Sequence, residues 1–579
     1  MANIFSSENF KSLFGSFLKS FRRFPLTLLC SLMATVCVIL IAKDESHSKV
    51  LEKIAATFGL FLPLFFSAEI FEERKQTPKF LIIGLSILAI IAFYFLGFPQ
   101  AANIFNSKSF LIRFGVLVIV FHLLVSVAPY IFTKNLSGFW QYNKTLFINI
   151  LTAFLYTFTL SAGLVLAVSG VQNLFEVKLA DDWFVYIWFG VNGFFNTLIF
   201  TSKLPALEQI DKETSYPLGL KFFTQYVLLP LVAIFLAILL AYEGKIILAW
   251  SLPKGWVSIM VLASAKFGIL AFLLIYPLKN LNNWIQSYNK AYYWILIPLV
   301  GLMLVAIYVR ISQYGLTEPR YFVAMLAVWM LGIAIYFSFS KVDNIKIIPL
   351  SLLLLGLIGI FAPYNAFRSS RTNQIGRMKE VLIKKRLLKA GKIMVPYNLT
   401  LDSINQDRLY AALEYLAESH PESLKDYLTE KQFEELRAEK NDFQRAQIIY
   451  KLTNLPLKKS FDVYKFFSIK RPSFYDLNKA DFLVDSREYS GKTEAIKIEE
   501  DSLSWKLEQN ILTFIIGEKE KVNFDISNLK NENLTELGIE STTFEMETTM
   551  FSMKLLIESG NSSNGILENL QWKLFLTKK

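Results

Sequence analysis

"VLASAKFGILAFLLIY" (residues 261–276) is an apolar run that carries one charge, Lys266, near its middle. Hydrocarbon offers a peptide group no hydrogen-bond partner, so a run of this kind must satisfy its own amides and reads as a transmembrane helix. The pattern recurs along the chain. Runs able to cross about 30 Å of hydrocarbon lie at roughly 25–42, 54–70, 80–98, 110–132, 145–168, 183–200, 222–242, 256–278, 291–309, 321–339 and 347–364. The expected fold class is therefore a membrane all-α polytopic helical bundle of about eleven transmembrane helices, followed by a soluble α+β tail.

Composition agrees. More than half of the 579 residues are apolar, and mean hydropathy stays positive with a polar final third averaged in. The formal charge of +12 does not imply nucleic acid, because Lys and Arg fall between the apolar runs and after the last one, where they meet lipid headgroups. The lipid bilayer is the expected partner. Cys30 and Cys37 share one apolar run and make neither a disulfide framework nor a zinc site.

Residues 1–24 precede the first run. Phe10, Leu13, Phe14, Phe17, Leu18 and Phe21 recur there at helical spacing among Lys11, Lys19, Arg22 and Arg23. An amphipathic interfacial helix follows, with Phe14, Phe17, Phe21, Arg22 and Arg23 as its anchor. The run at 25–42 has no small-residue cleavage site and reads as a retained anchor rather than a signal peptide.

Basic residues concentrate in the loops on the N-terminal side of the bilayer, which favours a cytoplasmic N-terminus. With eleven spans the tail would then lie outside. The cluster Arg368, Arg371, Arg377, Lys379, Lys384, Lys385 and Arg386 after the last run argues the other way.

The polytopic domain is expected over residues 25–364, a helical linker region over 365–460 and a β-rich soluble domain over 461–579. Helical spacing in "SINQDRLYAALEYLAESH" and "TEKQFEELRAEKNDFQRAQIIYKLT" gives way to period-two runs such as "LSWKLEQ", "ILTFIIGE", "SMKLLIES" and "LQWKLFLTKK". An antiparallel sandwich or curved sheet is the expected result.

A charge at mid-bilayer costs about 2.5–3.5 kcal/mol on insertion scales, so Lys266 needs a partner, water or a lost proton. His122 and Asn192 lie near the middles of their own runs, and the three define a candidate intramembrane polar cluster of the kind that proton-coupled transport uses. The competing reading is packing. Ser264, Gly268 and Ala271 form the face that suits a close neighbour, whereas Lys266 shares its side with Ile259, Leu262, Leu270 and Leu273. Glu69 and Arg113 sit near run ends, where an interfacial anchor is expected.

No catalytic motif is found. "YSGKT" (residues 489–493) resembles the end of a phosphate loop, but Ser486 stands where its first glycine belongs. His47, His122 and His420 make no zinc motif, and no metal or cofactor is expected.

"LLPLVAIFLAILLAYEGKIILAWSLPKGWVS", "FGILAFLLIYPL", "RISQYGLTEPRYFVAMLAVWMLGIAIYF" and "RLYAALEYLAESH" together resemble bacterial membrane proteins of domain-of-unknown-function family 4153. That resemblance implies a multi-pass envelope protein and brings no activity or catalytic residue. The expected function is transporter-like or channel-like, with the tail as sensor or partner-binding module. The alternatives are an envelope assembly factor whose tail binds protein, lipid or glycan, and an enzyme on a lipid-linked substrate near Glu243, Lys245 and Lys254.

Overall fold

The computed structural model describes residues 7–43, 48–75, 78–98, 107–176, 182–249, 256–279, 283–340, 344–395, 402–439, 441–455, 465–468, 480–486, 496–498, 501–508, 510–517, 520–527, 529, 542–563 and 566–579. The chain divides into two compact units, Met1–Leu455 and Pro456–Lys579.

Among its described residues the regular structure of the first unit is helical apart from one short hairpin. It begins with α1 (Ser7–Arg23), α2 (Pro25–Lys43), α3 (Ser48–Lys75), α4 (Lys79–Leu96), α5 (Lys108–Val127) and α6 (Leu136–Leu174). Next come α7 (Asp182–Phe189) and α8 (Asn196–Ser202), joined without a break by a π-turn, Gly190–Phe195. A short α9 (Leu207–Lys212) precedes α10 (Leu218–Phe222), which runs through a second π-turn, Phe223–Leu228, into α11 (Leu229–Ala249). The bundle closes with α12 (Trp256–Ile275), α13 (Asn283–Tyr314), α14 (Glu318–Phe339) and α15 (Ile347–Phe361).

Among the described residues nine helical stretches are long and apolar enough to cross a membrane, or ten if the pair 347–361 and 366–384, bent by 47°, is one span. The runs expected from the sequence are these nine together with the shorter α4 and α15. The protein is thus a multi-pass membrane protein. Successive crossings sort the chain reversals onto two faces. The N-terminal face gathers the ends of α1, α3, α5, α8, α12 and α14, and the opposite, tail face gathers the starts of α5 and α14.

Proline shapes two of these reversals. Pro129 and Pro277 have no N–H, so the carbonyls four residues earlier lose their helical donor. Tyr142 donates to the Val125 carbonyl at 3.0 Å, and the indole of Trp140 donates to that of Leu273 at 2.7 Å. Both replacement donors come from α6, which thereby ties the end of α5 to the end of α12 and leaves neither carbonyl bare in an apolar setting.

On the tail face the chain continues as α16 (Ala366–Lys384), a hairpin of β1 (Leu388–Lys389) and β2 (Lys392–Ile393), then α17 (Ser403–Ser419), α18 (Glu430–Ala438) and α19 (Asp442–Thr453). Thr429 and Gln432 form a capping box that starts α18. The helix α17 packs between α16 and α19 and also meets α5 of the bundle.

The second unit is antiparallel β. One sheet is ordered β3 (Lys465–Ser468), β10 (Phe551–Ser563), β11 (Ile566–Lys578) and β4 (Phe482–Asp485), with β9 (Thr543–Glu547) also paired to β10. The other is a meander of β5 (Ile496–Ile498), β6 (Asp501–Glu508), β7 (Ile511–Ile516) and β8 (Glu520–Asp525). Trp572 of the first sheet and Phe514 of the second meet edge to face with ring centres 5.0 Å apart, inside a core that also holds Leu503, Phe524 and Leu574. The stretch "YSGKT" lies outside the described residues.

Candidate functional site

Three polar groupings stand out in the first unit, and each is set by helix ends or by small side chains inside the bundle.

The first lies on the N-terminal face. The opening amides of α2 have no partner within their own helix. Glu69, 7% exposed on α3, supplies one: its carboxylate accepts from Leu26 N at 2.7 Å and from the Thr27 hydroxyl at 2.5 Å. A free interfacial anchor is therefore not its role. One turn further along α3, Glu73 pairs with Arg23 at 2.8 Å and accepts from Leu207 N at 3.1 Å. The Arg23 guanidinium also donates to the carbonyls of Leu204 and Pro205. Arg74 pairs with Asp211 at 2.6 Å, and the same carboxylate accepts from the Tyr130 hydroxyl at 2.7 Å. Burial alone would raise the Asp211 carboxyl, but the hydrogen bonds from Arg74 and Tyr130 and the charge of Arg74 outweigh it and hold the group below the usual carboxylate range. Gly138 leaves room for this carboxylate, because a β-carbon at that position would lie 2.3 Å from Asp211 Oδ1 and force it to shift. Two ion pairs thus hold the segment 203–212 against the ends of α1, α3 and α5.

From this cluster a seam of neutral polar side chains runs into the bundle between α2, α6 and the α7–α8 helix. Ser20 donates to Thr201 at 2.6 Å, Ser31 to Thr197 at 2.9 Å, Asn196 to Thr157 at 3.0 Å and Asn192 to Ser161 at 3.0 Å. The π-turn Gly190–Phe195 sits in this seam, and such turns re-aim side chains and mark functional positions in many helices. At Gly193 a β-carbon would come within 2.3 Å of the Thr35 hydroxyl, so α2 approaches the π-turn as closely as glycine allows.

The third grouping is on the tail face. Glu318, 2% exposed at the first turn of α14, accepts from the Tyr415 hydroxyl at 2.6 Å and lies 3.0 Å from His420 Nε2. Tyr415 and His420 are themselves 3.1 Å apart. Burial first, and then the Glu318 charge and hydrogen bond, push the Tyr415 phenol well above its ordinary range, so it remains a donor. Beside this set, Lys108 pairs with Glu418 at 2.9 Å and the Arg113 guanidinium lies 4.1 Å from the centre of the Phe367 ring. These contacts bind the helical tail segment to α5 and α14.

The residues singled out from the sequence fall differently. Asn192 belongs to the polar seam. His122 is exposed on α5, with Nδ1 2.8 Å from the Val118 carbonyl of its own helix. Lys266 is exposed on α12, while Ala265, Gly268 and Ala271 on the other side are buried. There Tyr292 of α13 donates to the Ala265 carbonyl at 3.0 Å, and its ring fills the space above Gly268. Lys266, His122 and Asn192 make no hydrogen bond to one another, and the contacts of their helices differ: α12 packs on α11 and α13, α5 on α3 and α15, the π-turn on α2 and α6.

Of the expected interfacial anchor, Phe17 and Phe21 set their rings against Phe195 and Phe194 of the π-turn at 6.3 and 6.4 Å, Arg22 is exposed, and Arg23 is consumed by Glu73 and backbone carbonyls. The Phe14 side chain lies outside the described residues, as does Lys254; Glu243 and Lys245 lie on α11. Sequence reasoning missed Asp211, Tyr130 and Glu318. Asp211 and Tyr130 stand in or beside loops, and only the fold shows that they meet.

Comparison with known proteins gives a family and no activity. An uncharacterised protein of Pasteurella multocida (strain Pm70), PM1469, is 24% identical over 374 residues, which are 63% of this chain and 60% of the relative. The chain thus matches about three fifths of that relative's length. No solved structure matches. The model of the family described as a domain of unknown function, DUF4153, matches residues 28–380, more than half of the chain and all but one of the nine long crossings entire. The chain belongs to that family.

Proposed function

We propose that this protein is transporter-like: a bundle whose working element is the seam between α2, α6 and the α7–α8 helix, closed on the N-terminal face by the Arg23–Glu73 and Arg74–Asp211 pairs. The observation that supports this most is continuity. A π-turn at mid-membrane, lined by Asn192, Asn196, Thr157 and Ser161, leads through Thr197 and Thr201 to the ion-pair cluster. Neutral hydrogen bonds of this kind are individually weak in membranes, about 0.6 kcal/mol on average, so they can exchange partners. Charge pairs at the face supply the stronger latch.

In this reading the N-terminal face is cytoplasmic, the membrane is the bacterial inner membrane, and the tail lies outside as the sensor or partner-binding module. A second reading, an envelope assembly factor with a β-rich binding unit, is favoured by the Glu318–Tyr415–His420 contact, which fastens the tail helices to the bundle.

Complementation of a gene deletion separates the two. Transport predicts that Asn192→Leu abolishes the phenotype's rescue at normal protein abundance. An assembly factor tolerates that change and fails on removal of residues 456–579. Full rescue by Asn192→Leu would end the first reading.

A further inference from the structure

The reversal between α13 and α14 gathers the positive charges of Arg310, Arg320 and Arg377. The helix α13 ends at Gly315, whose φ of +77° and N–H bond to the Ile311 carbonyl at 2.8 Å make it a left-handed terminator. Carbonyls 312–316 are left without helical donors. Arg377 of α16 donates to the Ser312 and Gln313 carbonyls at 3.1 and 2.7 Å, and Arg320 of α14 donates to those of Tyr314 and Gly315 at 3.2 and 2.7 Å. Two guanidiniums therefore converge on one turn, where each repels further positive charge and attracts negative. Arg310, exposed one turn before the end of α13, lies on the same helix face as Tyr314, whose ring centre is 5.6 Å from the Arg320 guanidinium carbon. The charges of Arg310 and Arg377 both act on Arg320.

Carbonyl capping accounts for part of this set only. It uses one terminal nitrogen of Arg320 and two of Arg377, and a guanidinium carries five donors. Among the described residues Arg310 makes no hydrogen bond or ion pair. The acid that acts on Arg377 is Glu380, which already pairs with Arg408 at 3.6 Å. Glu318 is buried against Tyr415 and His420. Exposed Tyr308, Tyr314 and Tyr364 place this turn at the level of the headgroups, where such rings collect.

From this charge pattern and depth we propose that Arg310, Arg320 and Arg377 form a binding site for the phosphate of an anionic phospholipid headgroup in the leaflet on the tail face. Guanidinium forks match phosphate oxygens in pairs. The depth of the turn selects a lipid over a solute. This site is independent of the seam and of the transport reading.

The test uses the full chain, stripped of lipid in detergent and titrated with phosphatidylglycerol or phosphatidylcholine, with bound lipid counted by native mass spectrometry. The wild type is expected to hold phosphatidylglycerol preferentially. Arg310→Gln, which removes no cap from α13, is expected to weaken that preference roughly fivefold, whereas Arg310→Lys keeps most of it and Arg437→Gln, a surface change on α18, leaves it intact. Equal retention of the two lipids, or equal losses in Arg310→Gln and Arg437→Gln, overturns the site. Displacement of phosphatidylglycerol by an equal concentration of inorganic phosphate overturns the lipid as its occupant.

Discussion

The hydroxyl of Tyr415 reaches across 97 residues of sequence to the buried carboxylate of Glu318, 2.6 Å away, and so joins a helix of the soluble tail to the first turn of a membrane helix. Hydrogen bonds to a charged group contribute about 1.5–3 kcal/mol, and a buried acceptor left short of donors costs more than a neutral pair removed. Tyr415→Phe leaves Glu318 with His420 alone. Its expected effect is a loss in that range, seen as faster amide exchange along α17 with the crossings unchanged. Unaltered exchange in α17 would show that the tail docks by other means.

Acid should weaken the N-terminal face. The Asp211 carboxyl is held below its ordinary range in the folded protein, so in acid the unfolded chain binds the extra proton first. Its contribution is complete above the ordinary carboxylate value and is lost as pH falls through the lower, folded value. Thermal unfolding followed from neutral pH into that acid range should show the loss in the wild type. In Asp211→Asn the stability at neutral pH drops and this part of the acid dependence disappears; an acid limb identical to the wild type's would count against the Arg74–Asp211–Tyr130 grouping.

Two glycines offer a controlled comparison. At Gly268 a β-carbon would lie 2.1 Å from the ring of Tyr292, which is 1% exposed and cannot retreat, whereas at Gly163 of α6 nothing stands within 4 Å. Overpacking costs about 1–3 kcal/mol, while an unobstructed Gly→Ala in a helix gains about 0.5–1 kcal/mol. Gly268→Ala is expected to lower the melting temperature in detergent and Gly163→Ala to hold or raise it. The reverse order would mean that α12 and α13 are not packed as described.

For Lys266 the expected outcome is tolerance. Its side chain is exposed on α12 and takes no part in the polar seam. Lys266→Met removes a charge that costs about 2.5–3.5 kcal/mol at mid-bilayer, so membrane abundance should equal or exceed that of the wild type, with rescue of the deletion intact. Loss of rescue at full abundance would return Lys266 to the mechanism.

The extent of the bundle was legible because hydrocarbon imposes a single requirement on every crossing, and that requirement is written in continuous apolar runs. Runs as different as Pro25–Lys43 and Glu318–Phe339 both became helices for this reason. The period-two segments of the tail likewise became β6, β7, β10 and β11. The sites were less legible. Depth along a run placed Lys266, His122 and Asn192 at one level, but level says nothing about azimuth, and rotation about the helix axis put Lys266 and His122 on exposed faces. Asp211 lies 137 residues from Arg74 and Glu318 lies 97 from Tyr415, separations that no local spacing encodes. The π-turn was invisible for a related reason, since one extra residue in a helical turn leaves apolar content unchanged.

Exchange of backbone amides in the π-turn tests the seam most directly. With the full chain in lipid nanodiscs, hydrogen–deuterium exchange followed by mass spectrometry should find peptides over residues 190–196 taking up deuterium well ahead of those over 261–271 in α12, because a working seam admits water and re-pairs its hydrogen bonds. Equal, complete protection of both segments would make the seam interhelical glue and contradict the transport account.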